Sequence, residues 1–401
     1  MKYIIYRNLT LLLQSITFFL VLKNVPIELY NEFVLFTVSV GYALFANLGI
    51  SNGIIYYGQS SSTLKKDNVS GLIVVILMQL LISIYFQDYL LTLACVFGNA
   101  SNYLKSTSRL FKKSYFLQIY IDLFYTFSIF FGVVIFKNYD ILIELYTFIN
   151  ILYFIVHSYL YLDLKDFKEN KVFSKSSLKL FKYGISSLFI SCFFILWPVQ
   201  MRDNVASFNF VVNQELFYMA DKLIVFLMVT IYFFTPKLIE KKSKVLYSMS
   251  FIINPFIYFG MVFGIYLANY LFNITKFTFI EVHVVAYYFM IYFILLITHT
   301  SLIKSNGKKL SIYLISFFFI FHLISWYFGC TFNSILLLIL ACNILVFLTA
   351  YNLKGLLSFG FLILIFPGPF IEARLFLFVI TIFFIKPKEK IIEFYKIYKL
   401  K

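Results

Sequence analysis

The chain has 401 residues, of which 62% are hydrophobic and only 13% charged, and it carries a formal net charge of +16. That balance excludes an ordinary soluble domain and fits a bundle of membrane helices. The positive charge does not point to nucleic acid, because the lysines stand in short segments between long apolar runs, where they read as cytoplasmic anchors.

Apolar runs long enough to cross a bilayer recur from the start of the chain. The first, 6–22, follows a basic N-terminus without a small-residue cleavage site and reads as an uncleaved span rather than a signal peptide. The second, 33–57, contains Gly41, Gly49 and Gly53, small residues that permit close helix approach. Spans three and four cover 69–86 and 89–104; span five, 115–136, carries Asp122, and span six, 141–162, carries His157. The polar stretch 163–179 is the natural boundary between two lobes.

Span seven is 180–198 and span eight 217–236. Span nine, 251–272, has Pro255 in its expected first turn, where a helix tolerates proline. Spans ten to twelve cover 282–303, 310–328 and 332–351. The last apolar region, 356–385, is split by Pro367-Gly368-Pro369 and reads as two short spans or as one broken hairpin. The expected fold is an all-α polytopic membrane protein of about 12–14 transmembrane helices in two pseudo-repeated six-helix lobes with further C-terminal helices. The N-terminal lobe takes 1–172, the C-terminal lobe 173–351, and additional spans with a basic cytoplasmic tail take 352–401.

Charge tests this segmentation independently. Of the 34 basic residues, only Lys23, Lys137, Arg202, Lys222, Lys276 and Arg374 fall outside the loops assigned to the cytoplasmic side. Such a bias implies a multi-pass protein with both termini cytoplasmic. The external loops are all short, which leaves no room for an external catalytic domain.

Four cysteines, Cys95, Cys192, Cys330 and Cys342, lie in or beside apolar spans without metal spacing and read as membrane packing. The histidines His157, His283, His299 and His322 are scattered over separate spans and read as hydrogen-bonded helix contacts ahead of a proton relay. The sequence has no glycine-rich phosphate loop, nucleophile elbow or zinc signature, so no metal, cofactor or catalytic residue is expected.

The two lobes share a phrase. PIELYNEFVLF at 26–36 and NQELFYMADKLIVF at 213–226 each place Glu-Leu-aromatic at an outside turn before a long helix. With KYGISSLFISCFFILW at 182–197, FFTPKLIEK at 233–241, ANLGISNGIIYYG at 46–58 and NYLKSTSRLFKKSYFLQI at 102–119, these phrases cover residues 1–245. Together they resemble the polysaccharide (O-antigen) flippases, the Wzx-type branch of the multidrug/oligosaccharidyl-lipid/polysaccharide exporter superfamily. Asn31 and Phe217 stand where that family usually has glycine in its outside turns, and its acid-then-arginine pair is reversed here as Arg202-Asp203.

The resemblance implies a carrier, not an enzyme, in the bacterial cytoplasmic (inner) membrane. Its substrate would be an undecaprenyl-diphosphate-linked oligosaccharide of an O-antigen or capsule pathway, moved to the outer leaflet by alternating access. Membrane lipids and polysaccharide polymerase or assembly proteins would be its partners, and an ion gradient its energy source. Such a carrier needs cations for the diphosphate and polar groups for the glycan in a cavity between lobes.

The substrate-binding candidates are Lys222, Arg202, Arg7 and Lys23, and the ion-coupling candidates Asp122 and Asp221. Each has a plainer alternative. Asp221 and Lys222 can pair with each other, Asp122 with a cation on a neighbouring span, Arg202 with Asp203 in a loop, while Arg7 and Lys23 can act as snorkelling anchors. An integral-membrane polysaccharide polymerase is the rival reading, although such enzymes tend to carry a long basic outside loop. A membrane acyltransferase would need an acid beside a histidine; His157 and Asp163, six apart across a helix end, come closest.

Overall fold

A computed structural model of the chain describes residues 2–47, 49–50, 64–111, 116–162, 213–225, 243–279 and 281–283, together with positions 182, 184, 199, 202, 203, 205, 206, 285, 286 and 289. Among the described residues there are helices and turns but no strand. The chain divides into two compact units, Met1–Phe208 and Asn209–Lys401. The polar stretch 163–179 and spans eleven to fourteen lie outside the described residues.

The first unit is built from α1 (Lys2–Asn24), α2 (Ile27–Ala43) with a 3-10 turn at Leu44–Asn47, α3 (Leu64–Ser83), α4 (Tyr89–Phe111), α5 (Phe116–Ile129) and α6 (Ile141–Tyr161). Its helix ends are set by local chemistry. Pro26 separates α1 from α2, and its carbonyl accepts from Tyr30 N–H. Asp88 caps α4, its Oδ1 accepting from Leu90 N at 2.8 Å and Leu91 N at 3.3 Å. The last turn of α5 widens into a π-helical stretch, Phe130–Ile135, and Lys137 then takes a left-handed φ of 54° that turns the chain toward α6.

Helix α4 is the centre of this unit, packed along α6 and α3 and touching α2. One apolar cluster joins Leu72 and Val75 of α3 to Ala100, Tyr103 and Leu104 of α4. A second joins Phe36, Val40 and Ala43 of α2 to Ala94 and Cys95. Gly71 makes the first cluster possible, since a Cβ there would stand 2.1 Å from the Tyr103 hydroxyl. Helix α1 packs on α5 and its π turn.

In the second unit, α7 covers residues 214–225 and α8 is Ser243–Phe272. The sequence places Pro255 at a helix start, but α8 begins twelve residues earlier and runs through it. Pro255 therefore sits in the interior of α8, where it leaves one i→i−4 bond unmade. Asn213 caps α7, its Oδ1 accepting from Leu216 N, while its Nδ2 donates to Thr275 Oγ1 at 2.7 Å and to Lys276 O at 3.1 Å. Beyond α8, Asn269 Oδ1 accepts from Ile274 N and Thr275 N, and Thr278 and Glu281 form a reciprocal capping box.

By length and composition, one helix among the described residues, Ile141–Leu160, suffices to cross a membrane. Shorter apolar helical stretches run over Asn8–Asn24, Val69–Ser83, Ile119–Ile135 and Ile257–Phe272.

Candidate functional site

Among the described residues the two acids Asp122 and Asp221 and several amides are buried, while Glu28, Glu32, Glu144 and other charges lie exposed. In the first unit three amides form a chain between the end of α2, α3 and α4. Gln79 is 0% exposed, Asn99 1% and Asn47 3%. Gln79 Nε2 donates to Ala43 O at 2.7 Å and to Asn47 Oδ1 at 2.9 Å, and Asn99 Nδ2 donates to Gln79 Oε1 at 3.0 Å and Val40 O at 3.5 Å. The backbone carbonyls fix the sense of every amide, since a carbonyl only accepts. Gln79 must turn its nitrogen to Ala43 O, so its oxygen faces Asn99 and Asn47 must present oxygen to it. Asn47 Nδ2 is left buried without a partner, a deficit of about 1–3 kcal/mol for an unmade buried hydrogen bond.

Near this chain, Tyr42 Oη donates to Asp203 Oδ2 at 3.0 Å. Val199 lies against Gly41, where a Cβ would approach it to 2.8 Å. Positions 199, 202, 203, 205 and 206 are helical, so the segment read as the end of span seven and its outside turn packs on α2 within the first unit. Arg202 and Asp203 are half-buried there, and Arg202 lies within electrostatic reach of Tyr146 on α6. At a rise of about 1.5 Å per residue, Tyr42 stands about 22 Å along α2 from Ile27.

Asp122 is buried on α5. Its backbone carbonyl accepts from Gln14 Nε2 at 3.5 Å and from Thr126 Oγ1 at 2.7 Å. His157 of α6 is buried as well, its Nδ1 at 2.9 Å from Ser101 Oγ of α4 and its ring stacked on Tyr153. Lys23 is exposed at the end of α1, while the side chain of Arg7 lies outside the described residues. In the second unit Lys222 Nζ stands 3.9 Å from Asp221 Oδ2, with Asp221 buried and Lys222 partly exposed. Adjacent residues on a helix point about 100° apart, so a contact of this length is a weak clasp.

Thus the structure joins Asp221 to Lys222 and ties Asp203 to α2, and the Asp122 backbone carbonyl accepts from Gln14 of α1. The amide chain is not anticipated by the sequence reading, whereas His157 makes the hydrogen-bonded helix contact expected of it, to Ser101. Lone Gln, Asn, Ser and His inside apolar runs were the available signal. Among the described residues no group of His, Cys, Asp or Glu is arranged to hold a metal ion. Every element described is helical. Comparison with protein-family models, curated proteins and solved structures finds no match to this chain.

Proposed function

We propose that the protein is a polytopic carrier of the bacterial cytoplasmic membrane that moves undecaprenyl-diphosphate-linked oligosaccharide from the inner to the outer leaflet by alternating access. The observation that carries this reading is an inverted polarity. Gln79, Asn99, Asp122, His157 and Asp221 are buried, while large apolar side chains point outward at helical spacing. Tyr120, Phe124, Phe127 and Phe131 make one such stripe, and Phe259, Phe263, Tyr266 and Tyr270 another. Water would penalise those stripes, whereas lipid accepts them and forces amides and acids inward.

Two separately compact units suit a carrier whose halves rock about a central path. The basic bias of the loops sets its orientation, and the resemblance of residues 1–245 to the polysaccharide flippases supplies the substrate class. Lys222, Arg202, Arg7 and Lys23 are the proposed substrate contacts, with Asp122 and Asp221 as coupling acids.

Depletion in the native host tests the reading. Undecaprenyl-linked glycan is probed with an outside-only lectin in intact and in permeabilised cells. Single repeat units hidden until permeabilisation are the expected result. Single units already exposed outside would mean that they cross but are not joined, which makes the protein a polymerase.

A further inference from the structure

We infer that the chain beyond α8, residues 273–279, is a re-entrant element seated at the boundary of headgroups and acyl chains in the outer leaflet, rather than a loop standing in water. The inference rests on the membrane part of the proposed function and on its orientation, not on the substrate. Helix α8 ends at Phe272, and Asn273 at a left-handed φ of 49° reverses the chain. Residues 273–278 then return along α8 without helical structure. Phe277 packs on Tyr266 with ring centroids 5.6 Å apart, and His283 packs on Tyr258 at 5.9 Å and shares a hydrogen bond with its hydroxyl. At a rise of about 1.5 Å per residue, those partners lie about 9 Å and about 21 Å inside the end of α8. Tyr266 belongs to the outward stripe of Phe259, Phe263 and Tyr270, so the returning chain lies on the face given to lipid. Phe279, 67% exposed, extends that face. Lys276 is exposed nearer the turn, where a lysine stem can lie on apolar surface while its amine reaches lipid phosphates.

Lipid offers a non-helical backbone no hydrogen bonds, so a chain placed there needs partners within the protein. Side chains supply them along this turn. Asn269 Oδ1 accepts from Ile274 N at 3.1 Å and from Thr275 N at 3.0 Å. Asn213 Nδ2 donates to Lys276 O, and Glu281 Oε2 accepts from both Thr278 N and Thr278 Oγ1. Glu281 N and Val282 N in turn donate to Thr278 Oγ1 and Thr278 O. A turn in water can leave such groups to solvent; one at the lipid boundary cannot.

Photocrosslinking of the unsubstituted full-length protein in phosphatidylcholine vesicles tests this placement. The probe is a phosphatidylcholine with a diazirine midway along one acyl chain, and its adducts are mapped by mass spectrometry. Phe277 and Phe279 together are expected to collect adducts within threefold of the yield at Phe259 and Phe263. A lower share at Phe277 and Phe279, with Phe259 and Phe263 marked, overturns the inference and leaves the membrane reading standing. Adducts at none of the four overturn both.

Discussion

Tyr42 and Asp203 are 161 positions apart in sequence, and a single hydrogen bond of 3.0 Å ties them together. A phenol donating to a carboxylate in a half-buried setting contributes about 1.5–3 kcal/mol. Tyr42→Phe is expected to lower thermal stability in detergent by that order, and combining it with Asp203→Asn should cost little more. Additive losses would show that the two groups do not act as a pair. Gly71 offers a steric counterpart. Gly71→Ala drives a methyl into the buried Tyr103 hydroxyl and should cost about 1–3 kcal/mol. Tyr103→Phe in the same chain should restore part of that loss, and no restoration would place the strain elsewhere. Lys222 is the residue on which the substrate reading leans most. Lys222→Ala is expected to abolish surface glycan at normal protein levels, and undiminished display would remove it from contact with the diphosphate.

At the scale of elements, the helices of the first unit were largely legible. Spans read at 6–22, 89–104 and 141–162 correspond to Lys2–Asn24, Tyr89–Phe111 and Ile141–Tyr161. Apolar runs set where such helices lie, but hydropathy is blind to whether a run is one helix or two. The run 33–57 was read as one span, yet α2 stops at Ala43. Its glycines were read alike as sites of close approach; Gly41 is one, against Val199, whereas Gly49 serves a left-handed turn. At this break Gln79 and Asn99, far away in sequence, donate to Ala43 O and Val40 O. Asn213 was legible only as part of a polar turn. Its side chain caps α7 and binds the chain beyond α8, so Asn213→Ala should cost about 1–2 kcal/mol and speed exchange at the start of α7. A loss confined to global stability, with α7 unchanged, would assign the residue to the turn at Thr275 alone.

At the scale of the whole molecule, the proposed orientation rests on the distribution of basic residues in the sequence. The lysine bias assigns the ends of the chain and the even-numbered turns to the cytoplasm. Among the described residues Gln87, Lys137 and Asn273 each take a left-handed φ near 50° where the chain reverses sharply. Single cysteines test the assignment in a background freed of Cys95, Cys192, Cys330 and Cys342. Lys137→Cys and Lys276→Cys, both exposed, are expected to react with a membrane-impermeant maleimide in intact cells. Lys66→Cys and Lys390→Cys should react only after permeabilisation. Labelling of all four in intact cells, or of Lys66→Cys in place of Lys137→Cys, would reverse or abolish the proposed topology. The opening through which a cytoplasmically assembled lipid-linked glycan enters would then face the wrong side, and the carrier reading would fall with it.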